Sequence, residues 1–347
     1  MPPDDGGLAR FESTPAQSKA RRSRPVADDQ RLRLREVAQA TWRELSAQAV
    51  TVAPMTALVH ADALRWMNRA PDDSVHAIVT DPPYGLVEYE DKDHAKMRSG
   101  RGGVWRIPPS FDGSKRAPLP RFTVLTAEDR KRLESFFGKV ARRALRKLVP
   151  GGHLLIASNP LLSSSVFAAI ERAGFEKRGE VIRLTQTLRG GDRPKNAEEE
   201  FQDVSVMPRS CWEPWGLFRK PLSEKTVAAN LRRWGTGGLR RISDTEPFRD
   251  VIRSGPTRDT ERRLSPHPSL KPQAFMRQVV RGMLPLCEGV IYDPFTGGGS
   301  TLAAAHWLGL PSIGTELDAE YAASAVTAIP LLSAFEAPTG GNGDDAG

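Results

Sequence analysis

The feature that most constrains the fold is a rhythm of short and long segments. Apolar runs at 57–60, 75–80, 153–157, 180–185, 290–292 and 312–315 have the length of buried strands rather than of helices. Between them lie longer segments whose apolar residues recur every three or four positions. Leu133, Phe136, Phe137, Val140, Ala144 and Leu148 form one such face, with Pro150-Gly151-Gly152 as its stop signal. Further helices are expected at 163–173, 272–283, 301–308 and 320–328. An earlier one, with Leu34, Val37, Ala38, Trp42 and Leu45 on one face, is expected to pack on the domain edge. Strands alternating with helices predict an α/β fold built on a doubly wound, mostly parallel sheet.

Two stretches break the rhythm. Residues 86–126 carry Arg98, Arg101, Arg106, Lys115, Arg116 and Arg121 among glycines and prolines, and a loop of that length in a compact domain is usually functional or disordered. Residues 186–265 hold an acidic run, many arginines, and Trp212, Trp215 and Trp234, and read as an insertion. The chain of 347 residues then divides into a disordered basic leader with one amphipathic helix (1–50), a first α/β half (51–185), the insertion (186–265), a second α/β half (266–330) and a disordered tail (331–347).

Charge narrows the choice of partner. Lys and Arg number 50 against 42 Asp and Glu, a net charge of +8, which favours a polyanion. Cys211 and Cys287 are too few for a disulfide framework or a metal site, so no metal is expected. Nor does any apolar run have the length of a membrane span or the pattern of a signal peptide, so a cytoplasmic protein with no membrane partner is expected.

Chemistry concentrates where strands end. The segment from Asp293 through Pro294, Phe295, Thr296, Gly297, Gly298, Gly299 and Ser300 to Thr301 lies between a strand and a helix, where glycines let a ligand approach the helix N-terminus closely. Such a turn suits a nicotinamide cofactor, a nucleotide or S-adenosylmethionine alike. Glu316 follows at the end of the next strand, about 20 residues on, where an acid can accept hydrogen bonds from ribose hydroxyls.

The run at 75–80 ends on Asp81-Pro82-Pro83-Tyr84, a sequence fitted to a particular task. Adenine N6 is a poor nucleophile because its lone pair is delocalised into the ring, and an acceptor at each N–H localises it. The Asp81 carboxylate and the Pro82 carbonyl can be those acceptors, and the prolines remove competing donors and fix φ. Tyr84 offers a ring face. A duplex base must be flipped out at a cost of a few kcal/mol, and stacking on an aromatic ring returns about 1–3 kcal/mol.

These motifs resemble those of the DNA N4/N6 amino-methyltransferases in their β arrangement, in which the Asp-Pro-Pro-Tyr motif comes first, a target-recognition region second, and Phe-x-Gly-x-Gly last. Here Asp81–Tyr84, residues 186–265 and Phe295–Gly299 follow that order. The resemblance spans roughly residues 57–328 and implies a Rossmann-like methyltransferase sheet with an inserted target-recognition region, S-adenosyl-L-methionine as cofactor, and double-stranded DNA as substrate. It makes 51–185 the catalytic half, with a mobile loop at 86–126, and 266–330 the cofactor-binding half. Asp81, Pro82, Pro83 and Tyr84 would be catalytic. Asp293, Phe295, Thr296, Gly297, Gly299, Ser300, Thr301, Glu316 and Asp318 would hold the cofactor, with Lys271, in His267-Pro268-Ser269-Leu270-Lys271-Pro272, at its methionine end. Asp62 would border the substrate pocket, although Ala61 stands where the family usually has glycine. The resemblance also suggests a homodimer; with no nuclease motif in the chain, action alone and action with a restriction or defence-system partner both stay open.

With Asp at position 81 the resemblance favours adenine, while N4-cytosine methylation uses the same acceptors. C5-cytosine methylation lacks its Pro-Cys nucleophile here. A nicotinamide oxidoreductase would leave Asp81–Tyr84 unexplained, and a catalytically silent DNA-binding module would leave both motifs without a purpose.

Overall fold

The computed structural model describes residues 28–83, 127–185, 191, 193–265 and 267–336. Most of the expected leader, the arginine-rich loop at 86–126, and the end of the tail lie outside them, as does Tyr84. The strands described are β1 (Val50–Ala53), β2 (Thr56–His60), β3 (Val75–Thr80), β4 (Leu148–Ala157), β5 (Glu176–Leu184), β6 (Trp212–Arg219), β7 (Val251–Arg253), β8 (Ile291–Asp293) and β9 (Ser312–Glu316). They form one sheet in the order β1-β2-β9-β8-β3-β4-β6-β5-β7. Neighbours from β2 through β9, β8 and β3 to β4 are parallel, as are β5 and β7; β6 runs antiparallel to both its neighbours, and β1 to β2.

The helices are α1 (Asp28–Leu45), α2 (Ala63–Arg69), α3 (Ala127–Lys147), α4 (Ser163–Arg172), α5 (Val227–Trp234), α6 (Asp259–Arg262), α7 (Gln273–Met283), α8 (Ser300–Trp307) and α9 (Ala319–Ala334). They cover both faces of the sheet. Ile78 of β3 and Leu154 and Ile156 of β4 pack with apolar residues of α1 to α4. Their neighbours Ala77, Val79, Leu155 and Ala157 pack with α7 and α8 on the other side. Burial on two faces explains why these strands read as continuous apolar runs rather than as alternating ones. The expected doubly wound, mostly parallel sheet is the observed one.

Three readings change. The tail expected from 331 starts later, because α9 runs through Pro330 to Ala334 and buries Leu332. Pro150-Gly151-Gly152 lies inside β4 rather than ahead of it: Gly151 takes a positive φ of 80°, and the Pro150 carbonyl accepts from Asn230 Nδ2 (2.9 Å) and Thr236 Oγ1 (2.7 Å). More consequentially, residues 212–219, expected within the insertion, are β6, an interior strand whose Trp215 is fully buried. Pro214 hid it, since proline usually marks an edge strand; here the Pro214 carbonyl accepts from Ser158 N (2.8 Å).

Strand direction then sorts the rest of that stretch. Because β6 runs opposite to β4, the ends of the β5–β6 connection and the segment after β7 emerge at the C-terminal edge of the parallel strands. The β6–β7 connection emerges at the other edge, where Asn230 and Thr236 hold it to Pro150. At that other edge α1 is tied down by Trp42 Nε1 donating to Ser312 O (2.9 Å) and by an Arg35–Glu288 ion pair (2.7 Å). The buried Trp215 ring also packs on Phe275 of α7, with centroids 5.3 Å apart. Trp215→Ala is therefore expected to cost about 3–5 kcal/mol, read as a lower urea midpoint. An unchanged midpoint would remove β6 from the core.

Candidate active site

The parallel strands deliver their acids to one edge. β3 ends before Asp81, β8 on Asp293, β9 on Glu316, and β2 two residues before Asp62. The chain leaves β3 for β4 on one side, and leaves β8 for β9 on the other. The crevice between β3 and β8 is therefore the point where the winding reverses, the place where open α/β sheets bind ligands. Thr80 Oγ1 bridges it by donating to Asp293 Oδ1 (2.7 Å).

Asp293 organises the turn that follows. It is 2% exposed and also accepts from Phe295 N (3.1 Å) and the Thr301 hydroxyl. Burial pushes its pKa up to about 7, against the hydrogen bonds from Thr80, Thr301 and Phe295. Gly297 (φ 49°) and Gly299 (φ 86°) take the left-handed conformation, and Gly299 caps α8. A side chain on Gly297 would strike the His267 ring at 2.9 Å, and one on Gly314 would strike Thr296 Oγ1 at 2.2 Å. The turn is thus pressed between β9 and the segment before α7. Glu316 closes it, with Oε2 accepting from Gly297 N (2.8 Å) and Oε1 from Asp318 N (2.9 Å). The Asp318 carboxylate in turn caps α9, and that of Asp62 caps α2.

Lys271, which the resemblance implies at the methionine end of the cofactor, lies beside both the glycine turn and Asp81. Its backbone N–H donates to Ser300 Oγ (3.1 Å), but its ammonium is ion-paired with Asp81 Oδ2 and lies 3.2 Å from Glu213 Oε1. Burial alone would push that ammonium down, yet Asp81 and Glu213 outweigh it and hold the pKa above the ordinary lysine value.

A cavity of about 560 Å³ runs along this edge. Asp62, Asp81, Pro82 and Pro83 line it together with Phe295, Gly297, Glu316 and Asp318. A smaller recess beside it is lined by Asp81, Lys271, Asp293, Thr296, Ser300 and Thr301. The described candidates therefore gather at one site, with Gly299 supporting the turn from α8. Sequence reasoning missed Phe136 and Tyr321 in the cavity wall, and Glu213. A carboxylate within the otherwise apolar run Trp212-Glu213-Pro214-Trp215 was the available signal for Glu213. His267 also lines the cavity, its ring 4.5 Å from that of Tyr321. Burial and nearby Lys271 push its pKa down to about 4. Since Ser269 N donates to Nδ1 (3.2 Å), the neutral ring carries its proton on Nε2.

The family model for N6/N4 DNA methylases matches residues 75–327. The chain belongs to the N6/N4 DNA methylase family. This methylase is 25% identical over 283 residues to the type II methyltransferase M.HindIII of Haemophilus influenzae, covering 75% of this chain and 90% of that one. It is 23% identical over 268 residues to M2.DpnII of Streptococcus pneumoniae, covering 76% and 85%. Among solved structures, a protein of Thermus thermophilus assigned as a DNA modification methylase and complexed with S-adenosyl-L-methionine superposes with a TM-score of 0.51 at 20% identity. That match covers 81% of this chain and 95% of the other. The cytosine-N4-specific PvuII DNA methyltransferase superposes with the same TM-score at 13% identity, covering 80% and 91%. These likenesses show the Rossmann-like fold of the methylase. Among its described residues no helix is long and apolar enough to cross a membrane, and no group of three His, Cys, Asp or Glu could hold a metal.

Asp293 gives the methylase a testable pH signature. Its folded pKa lies above its ordinary value of 3.8, so the folded state binds the extra proton and stability falls as pH rises from about 4 to about 7. Asp293→Asn lacks that loss, so its melting temperature should gain on the parent's across this window and run parallel above it. Parallel curves throughout would mean that Asp293 ionises as an exposed carboxylate does.

Proposed function

We propose that the chain transfers a methyl group from S-adenosyl-L-methionine to the N6 amine of an adenine flipped out of double-stranded DNA. The observation that carries this reading is the placement of Asp81-Pro82 and the Gly297–Glu316 turn on one cavity, across the crevice where the winding reverses.

The residues present fit the cofactor. Gly297 lines the cavity, so the backbone of the turn borders the space a ligand would take. Each Glu316 oxygen already engaged by an N–H keeps lone-pair capacity for a ribose hydroxyl. Phe295 and Leu317 supply apolar surface for a purine, and the neutral His267 offers an Nε2–H donor. When bound, S-adenosyl-L-methionine supplies an electrophilic methyl on a sulfonium and departs as a neutral thioether.

Asp81 and the Pro82 carbonyl each accept one N–H of the target amine, which localises the nitrogen lone pair for the new N–C bond. As that bond forms the amine sheds one proton, and the Asp81 carboxylate is its acceptor. Lys271 keeps a cation on the carboxylate's other oxygen. Tyr84 stacks on the flipped base. Asp at position 81 supports adenine over cytosine, by its resemblance to the family's adenine enzymes. DNA is read by residues 193–211 and 254–265, which lie toward the C-terminal edge of the parallel strands, with arginines there and in 86–126 on phosphates. A cytoplasmic site of action, pairing with a second copy and coupling to a nuclease belong to the same proposal, supported by family membership.

Incubation with isotopically labelled S-adenosyl-L-methionine and unmodified genomic DNA, followed by nucleoside mass spectrometry, tests the reading. Labelled N6-methyladenine is expected, with a rate about 10²- to 10⁴-fold lower in Asp81→Ala, the usual contribution of a general acid–base group. Labelled N4-methylcytosine would overturn the choice of base and keep the site. Transfer undiminished in Asp81→Ala would overturn the site.

A further inference from the structure

Cations gather on the outer side of the wall that α2 and α3 give the cavity. Ala63 and Leu64 of α2 and Leu133 and Phe136 of α3 line the cavity itself. Basic residues follow on both helices: Arg65 and Arg69 on α2, then Lys139, Arg142, Arg143 and Arg146 on α3. Each helix runs from the cavity edge toward the opposite edge, since α2 leads into β3 and α3 into β4. Arg143 Nε joins them by donating to Asn68 Oδ1 (2.8 Å), which sets Lys139 level with Arg65, one turn back on each helix. Arg65, Arg69, Lys139 and Arg142 are exposed. Acids are scarce around them: Asp72 takes Arg146 and Lys147, and among the described residues those four exposed cations have no ion-pair partner. Closer to its start α3 does balance its charges, with Glu128 on Arg132 and Glu134 on Arg172.

We propose that this face of α2 and α3 binds the phosphate backbone of duplex DNA beside the flipped base, whatever its sequence. The proposal rests on the reading above that the chain acts on double-stranded DNA. Arg65 and Arg69, Lys139 and Arg143, and Arg142 and Arg146 each stand four residues apart, and like charges at that spacing repel on a helix surface. Three such pairs on adjoining helices weaken a face that only meets water, and suit one that meets a polyanion. The dimensions also agree. From Lys139 to Arg146 is about 10 Å of helix at about 1.5 Å per residue, and one DNA strand presents about three phosphates over that length. A base that enters the cavity leaves its neighbours outside, so the flanking backbone passes over the cavity's walls, of which α2 and α3 form one. Phosphate contacts fix register and orientation without reading bases, so this surface complements the segments at 193–211 and 254–265 rather than competing with them.

The test is the salt dependence of binding to a fluorescein-labelled DNA duplex, followed by anisotropy, for the parent chain and for a variant carrying Arg65→Gln, Arg69→Gln, Lys139→Gln and Arg142→Gln. Each phosphate contact contributes about 0.9 to the slope of log K against log salt, so loss of about three contacts should make the slope shallower by about 2–3 and lower affinity about 100-fold or more at about 0.1 M salt. With genomic DNA as substrate the KM should rise, while kcat at saturation stays within about threefold, the mark of binding lost equally from ground and transition states. Calorimetric affinity for S-adenosyl-L-methionine should hold, and the melting temperature should not fall, since the exchange relieves like-charge repulsion. A control that removes as much charge at the opposite edge, with Arg31→Gln, Arg33→Gln and Arg43→Gln on α1 and Arg178→Gln on β5, should change the slope by less than about one. Should the fourfold variant fold poorly, its α2 and α3 halves made separately should each give about half of the slope change. A parental slope in these variants, or an equal loss in the control, would overturn the proposal. A parent that binds DNA through this face yet transfers no methyl overturns the functional reading and leaves this one standing; a parent that binds no DNA overturns both.

Discussion

The pairing of Lys271 with Asp81 is the contact on which the site depends. It joins residues 190 positions apart, one at the end of β3 and the other just before α7. Removing one partner of such a buried pair typically costs about 3–5 kcal/mol, because the other charge is left uncompensated. The pair therefore ties the segment carrying the acceptor to the segment that supports the glycine turn. Lys271 N on Ser300 Oγ and Gln273 Nε2 on Ser300 O extend the tie to the start of α8.

Two aspartates flank the same crevice and are treated oppositely. Asp81 has a cation beside it, whereas Asp293 has hydroxyls and an amide, and burial carries its pKa up to about 7. Asp81 lines the cavity, while Asp293 holds the turn in shape from beneath. Both depend on parallel strands that end level with one another, which is how a sheet wound in two directions makes a ligand site without a dedicated domain.

Much of this was legible in the sequence, for a physical reason. Strands buried on both faces show as apolar runs, and the chemistry sits on the residues directly after them, so Asp81, Asp293 and Glu316 could be placed before their contacts were known. Glycines at 297 and 299 were legible because few other residues tolerate a positive φ pressed against a neighbour. What failed depended on contacts distant in the chain. Pro214 masked β6, and with it Glu213. The direction of that strand decides which parts of residues 186–265 reach the cavity edge, and direction leaves no trace in residue periodicity. Lys271 was found by family resemblance, but its partner in the described structure is Asp81, a contact that no local pattern encodes.

The account rests on Lys271 serving the acceptor rather than the cofactor, and saturating both substrates separates the two. Methyl transfer by Lys271→Met, measured at saturating S-adenosyl-L-methionine and DNA beside calorimetric cofactor affinity, is the most direct test. The account predicts a fall in kcat of about 100-fold or more, with cofactor Kd changed by less than about threefold. A weakened cofactor affinity with kcat restored at saturation would contradict it, and would return Lys271 to the methionine end of the cofactor.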